Sequence, residues 1–221
     1  MKRSLIAALT AAVLVSMAVP AQAADVNTAP RLGSKTTTTI TSVENASCRA
    51  QIADIAARAG TAPDLSVCDA TVTLTETTFP VSPTQARTIA AQEGMSTSAT
   101  KAFVVAAAAG AVQGATWSHS YNALWVNEVH KGTTYWDGSR AWISTYRGLT
   151  GSHTCHQEGS WAVGGSVKVN SCTMPGAGSA ADAVENFDLS VLYQGFPIAL
   201  TVGLHYKITA TGASSSWQVG G

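Results

Sequence analysis

Charge is scarce in this chain of 221 residues. Asp, Glu, Lys and Arg make up 12% of it, about half the share of roughly 25% usual in soluble proteins. Basic and acidic residues balance at 13 each. A nucleic-acid binder needs surplus Lys and Arg to neutralise phosphates, and none is present. A chain kept unfolded by its own charge is equally out of keeping with this composition. Catalytic signatures are missing too. There is no G-x-S-x-G nucleophile elbow and no H-E-x-x-H zinc helix. The five histidines, His119, His130, His153, His156 and His205, fall in expected strands or loops without catalytic neighbours. Glu128 and Glu158 could serve as a glycosidase pair only if the fold brought them within about 5–9.5 Å. The chain is therefore read as a non-enzyme that needs no cofactor and no metal. Beyond residue 23, no apolar run reaches the roughly 18 residues of a membrane-spanning candidate.

What is present begins with a targeting pattern. Lys2 and Arg3 precede an apolar run from Leu5 to Val19, Pro20 breaks it, and Ala21-Gln22-Ala23 supplies the small residues of a cleavage site. Residues 1–23 are read as a secretory signal peptide, so the mature chain is expected to be secreted and extracellular, with no membrane attachment. The twin-Arg pattern is absent, which favours general secretion. Cleavage would remove two cations and no acid, leaving a slightly acidic remainder.

All four cysteines, Cys48, Cys68, Cys155 and Cys172, lie beyond that site. An even count in a secreted chain points to two disulfides, with three connectivities open. Proximity in sequence favours Cys48–Cys68 and Cys155–Cys172, each worth about 3 kcal/mol in the chain-entropy view. The His153-x-Cys155-His156 cluster raises zinc as an alternative, but no second half-site of suitable spacing accompanies it.

Residues 24–45 are polar and Thr-rich. They are read as a flexible N-terminal arm, either a loose terminus or a docking strand whose β-branched run, Thr36 to Thr41, favours an extended backbone. Residues 46–114 read as a small disulfide-closed α/β segment. It holds a helix from Cys48 to Ala59 stopped by Gly60, a strand from Ala70 to Phe79, a helix opened by Ser82-Pro83-Thr84-Gln85 and stopped by Gly94, and an Ala-rich helix from Lys101 to Val112. From Ala115 the character changes. Five of the six Trp lie between Trp117 and Trp161, and apolar residues alternate with polar ones. Strands are expected at 124–131, 133–136, 141–146, 153–158, 166–172, 184–193 and 198–210, with a type I′ hairpin at Asp137-Gly138. The clearest is the last, where Ile198, Leu200, Val202, Leu204, Tyr206 and Ile208 share one face. Residues 115–221 are read as an antiparallel β-sandwich domain, making the whole chain mainly β.

The aromatics Trp125, Trp136, Trp142, Trp161, Tyr135 and Tyr146 could fill the core, stack on sugars or anchor a protein interface. Tyr135 and Trp136 must face opposite sides of their sheet, so one of them is expected outside the core. Low charge also suits a subunit that buries surface against partners.

Thr116-Trp117, Lys131-Gly132-Thr133, Tyr135, Asp137-Gly138, Trp142, Tyr146-Arg147-Gly148 and Gly151-x-His153-x-Cys155 resemble a group of small secreted actinobacterial proteins. Within that group the chain is similar to the small linker subunit of umbrella toxin particles, mainly over residues 115–172. The resemblance implies a non-enzymatic adaptor in an extracellular antibacterial particle. It would tie a large repeat-bearing toxin subunit to a lectin subunit that carries a degenerate trypsin-like domain. The arm would then bridge to a partner, with Arg31 or Lys35 entering that domain's cleft and Ile40 and Trp136 as further partner contacts. Two other classes remain: a carbohydrate-binding module with surface Trp and Tyr, and a secreted hydrolase or protease inhibitor, for which the Cys155–Cys172 loop is rich in glycine.

Overall fold

The computed structural model describes residues 33–92, 94–157 and 159–220. Its architecture is mainly β, with two antiparallel sheets face to face. The larger sheet starts with β1 (Lys35–Glu44), β2 (Asp69–Pro80), β3 (Gln113–Ala123) and β4 (Val126–Trp136), in that order. Beyond β4 lie β5 (Ala141–Trp142), β8 (Ser152–Thr154) and β9 (Trp161–Ala162), each pairing a different part of it. Between them, β6 (Thr145–Tyr146) and β7 (Leu149–Thr150) form a small separate hairpin. The second sheet is a meander of β10 (Gly165–Thr173), β11 (Ala180–Tyr193), β12 (Phe196–Thr209) and β13 (Ser214–Gly220).

Local chemistry accounts for the helices. Helix α1 (Ala46–Ala59) is capped by Asn45, whose side chain accepts from the Cys48 amide, and ends at Gly60 with φ of 65°. The Gly60 and Thr61 amides close back onto Ala57 and Ala56, as a left-handed terminal glycine permits. Helix α2 (Pro83–Gln92) opens with a reciprocal capping box: the Gln85 amide donates to Ser82 Oγ at 3.2 Å, and the Ser82 amide donates to Gln85 Oε1 at 2.9 Å. Helix α3 (Thr97–Ala108) starts earlier than the expected Lys101, because Ser96 Oγ accepts from the Ala99 amide and sets the first turn there. Both expected disulfides are formed, Cys48–Cys68 and Cys155–Cys172.

The core has three parts. At one end of the sandwich, Ile52 and Ile55 of α1 meet Val72, Tyr121, Phe187 and Leu200 from both sheets. At the other end, Leu74 and Trp117 face Ala181, Tyr206 and Ile208, with Trp117 stacked on Tyr206 at 4.3 Å. Helices α2 and α3 cover the far side of the larger sheet, burying Phe79, Phe103, Tyr135 and Trp142. All six residues of the β12 row expected on one face are buried.

Four expectations require correction. First, part of the arm is folded. Lys35–Glu44 pairs with β2 along its whole length, from Lys35 opposite Thr78 to Glu44 opposite Asp69. The extended Thr run finds its partner strand within its own chain; residues 24–32 lie outside the described residues. Second, the expected boundary between residues 46–114 and 115–221 does not divide the fold. Strands β2 and β3 pair from Ala70–Ala123 to Pro80–Gln113, so both segments share one sheet. Third, the hairpin after Trp136 has a four-residue turn, with Trp136 opposite Ala141. Only Gly138 takes a positive φ, while Asp137 Oδ1 accepts from the Ser139 and Arg140 amides at 3.0 and 2.9 Å. That side-chain bonding replaces a type I′ turn. A tight turn with two positive φ values occurs instead at Gln194-Gly195. Fourth, both Tyr135 and Trp136 are buried. They do face opposite sides, but each side of the sheet is covered, one by helices and one by the second sheet.

Gly132 on β4 is a point of close approach. An added Cβ would overlap the Ser152 carbonyl oxygen and lie 2.7 Å from the Trp117 ring. Gly132→Ala should cost about 1–3 kcal/mol, measured from the urea denaturation midpoint; an unchanged midpoint would contradict this packing.

Candidate functional site

Two features of the described residues go beyond simple packing. The first is β1. It ends the order of the larger sheet, so only one of its edges is paired. Nearly every residue along it is exposed, and Ile40 is 67% exposed. Its attachment to β2 is backbone pairing supplemented by threonine hydroxyls, Thr36 to Thr77 at 2.9 Å and Thr38 to Thr75 at 3.3 Å. A strand that contributes so little to the core, and leaves one row of backbone donors and acceptors open, is a template for another strand. Lys35 stands exposed at its start, where the Thr78 hydroxyl donates to the Lys35 carbonyl. Arg31 lies outside the described residues. Trp136 belongs elsewhere: its ring is in the inter-sheet core, against Gly212. A partner docking on this surface cannot use it, which removes it from the candidate contacts.

The second feature is a polar layer inside the sandwich, contributed by strand positions that face the opposite sheet. His119, Glu128, His130 and Glu185 are all fully buried. Three imidazoles form a chain. His153 Nδ1 lies 2.9 Å from the Thr173 carbonyl, which can only accept, so this nitrogen carries the proton. His153 Nε2 then accepts from His130 Nδ1 at 3.0 Å, and His130 Nε2 accepts from His119 Nδ1 at 2.9 Å. Every ring is neutral in this arrangement. Burial holds the His119 pKa down at about 4, with the nearby His205 adding to the effect, and lowers His130 and His153 as well.

Beside this chain, the Glu128 carboxylate accepts from His156 Nδ1 at 2.9 Å, and Glu185 Oε1 accepts from the His156 amide at 2.9 Å. Burial raises the pKa of both carboxyls; for Glu185, the charge of Glu128 raises it further. The carboxyl partner of Glu128 is therefore Glu185. Glu158, its sequence-based candidate, lies outside the described residues. Strand alternation marks positions 128 and 185 as inward-facing, but only the sheet-to-sheet packing brings them together.

The zinc alternative meets a chemical obstacle. His130, His153 and Cys155 bring ligand atoms within 4.8 Å of one another. The Cys155 sulfur is bonded to Cys172, however, and so offers no thiolate. The two ring nitrogens that face each other share a proton. A separate cavity of about 370 Å³ lies between α3 and the β5–β7 region, lined by Met95, Phe103, Trp142 and Leu149, with the Asp137–Arg147 ion pair of 3.0 Å among its polar groups.

No known family, curated protein or solved structure matches the chain.

The polar layer sets a pH dependence. The histidines prefer to be neutral in the fold, so their contribution is present above the ordinary value of 6.5 and is lost as pH falls. The carboxyls prefer to be protonated, so their contribution is present below the ordinary value of 4.5 and is lost as pH rises through their raised values. Above pH 6.5 only the carboxyls still act. Unfolding free energy should therefore decline from there towards about pH 8, at up to about 1.4 kcal/mol per pH unit for each proton retained. Glu185→Gln should flatten that decline in urea titrations. An identical slope in the variant would remove the carboxyl pair as its cause.

Proposed function

We propose that this chain is a secreted, non-enzymatic adaptor that binds other extracellular proteins, with the open edge of β1 as one docking element. The observation that carries the reading is the nearly fully exposed ten-residue strand at the end of the larger sheet. Natural proteins usually shorten, charge or cover such an edge. Here it is long and Thr-rich, with Lys35 and Glu44 as its only charges, one at each end. A partner strand added to it would gain a row of main-chain hydrogen bonds, with Ile40 as the apolar contact on its face.

Two disulfides and a leader-like N-terminus support an extracellular location. The resemblance over residues 115–172 supports the finer reading of a linker in an antibacterial toxin particle, joining a large repeat-bearing toxin subunit to a lectin subunit. In that setting Arg31 and Lys35, just before and at the start of β1, would reach the lectin subunit's trypsin-like cleft. The sugar-binding alternative keeps only half of its six aromatics outside the core, since Trp136, Trp142 and Tyr135 are buried.

Affinity purification of the tagged protein from its native culture supernatant tests the reading. The expected result is recovery with at least one other secreted chain. Ile40→Lys should reduce that recovery by about tenfold while leaving stability within about 0.5 kcal/mol of the parent, as for an exposed position. Recovery of a lone monomer would overturn the adaptor reading.

A further inference from the structure

At one end of the sandwich lies an apolar patch whose own residues carry no charge; Glu44, Arg49 and Asp69 stand at the same end of the larger sheet. The patch is built from three connections: the two-residue turn between β3 and β4, the segment around β9, and the tight turn between β11 and β12. The Val163 amide donates to the Trp125 carbonyl at 2.9 Å, and the Leu192 amide donates to the Gly164 carbonyl at 3.4 Å. The Trp125 and Tyr193 rings meet edge to face at 6.2 Å. These contacts join the three connections into one surface.

Large apolar side chains project from it. Leu124, Val163 and Leu192 are each more than 60% exposed, and Trp161 and Phe196 about 40%. None of residues 122–127, 159–166 or 190–199 is Asp, Glu, Lys, Arg or His; charge resumes only at positions such as Glu128, Glu158, Lys168 and Asp188. Single exposed apolar residues are ordinary, but a contiguous group of aromatic and aliphatic side chains marks a contact surface. Half-buried Trp125 and Tyr193 brace the tips, so little ordering is needed on binding.

We propose that this end is a second docking surface, made for an uncharged apolar face of a folded protein partner. The inference rests on the adaptor reading, since an adaptor needs two surfaces. The open edge of β1 runs along the side of the larger sheet, whereas this patch lies at its end, on turns that follow β3 and β11. The lack of charge dictates the partner's chemistry. A strongly charged partner would lose hydration here and find no counter-charge. The three connections offer an anionic lipid surface no Lys or Arg to hold it. Neutral polar groups within and beside these connections, Asn122, Ser160, Ser190 and Gln194, supply the uncharged polar component that a protein interface carries with its apolar centre.

The test compares three tagged full-length chains purified from native culture supernatant: the parent, Ile40→Lys, and the double variant Leu124→Asp with Leu192→Asp. Each variant is first checked for a parental urea midpoint. The expected result is that the double variant loses one secreted chain by about tenfold while Ile40→Lys retains it. In the purified parental complex, amide exchange should slow at residues 122–127, 159–166 and 190–199. If the double variant recovers every chain that the parent does, the patch proposal falls and the adaptor reading stands. If the parent recovers no other chain, both fall. Patch-dependent self-association in particle sizing would assign the surface to a second copy, and patch-dependent binding to phosphatidylcholine vesicles would assign it to lipid; either overturns the proposal.

Discussion

The apolar row of β12 is the interaction on which the rest of the structure depends. Ile198, Leu200, Val202, Leu204, Tyr206 and Ile208 all lie within 5% of full burial, and burying a large apolar side chain contributes about 1.5–3 kcal/mol. This row faces the larger sheet from one end of the sandwich to the other. At the first end it meets α1, whose Gln51 also bonds the Ala199 backbone in both directions. At the second end Tyr206 stacks on Trp117 and donates to Glu76 at 3.1 Å. The Cys48–Cys68 bond ties α1 to the turn that leads into β2.

Between those apolar ends runs the layer of His119, His130, Glu128 and Glu185. The hydrogen bonds among its groups form only if β3, β4 and β11 hold their register. A one-residue slip would turn each of these side chains to the opposite face and leave its partners unpaired. The same alternation that buries these polar groups pushes Leu124 and Leu192 outward at the turns. Low overall charge thus has two structural counterparts. The titratable groups of that layer are kept largely neutral, and the three connections that form the apolar patch carry no charge.

Much of the architecture was legible in local chemistry. Asn45, Ser82, Gln85, Gly60 and Gly94 act through neighbours two to four residues away, so the helix ends near them can be read from sequence. Both disulfides follow the favoured pairing of nearby cysteines. The alternation along β12 was clear because one face is fully buried and the other open. Strand β3 was harder to read. His119 interrupts the inward row of Ala115, Trp117, Tyr121 and Ala123, and its burial depends on His130 from the neighbouring strand. Strand β13 was missed for a related reason, since its Ser-rich sequence carries little apolar signal and is held by pairing with β12.

Composition and spacing by themselves determined the mainly β class and the inward row of β12 and favoured the observed cysteine pairing, because each depends on residues close in sequence. Tertiary structure alone decided that the Thr run pairs within its own chain, that the supposed domain boundary is crossed by a sheet, and that Trp136 is core. It also decided that Glu128 faces Glu185, and that three separate turns unite in one uncharged surface. These features depend on pairing between residues tens of positions apart, and a local pattern shows which face a side chain takes without showing what will cover it.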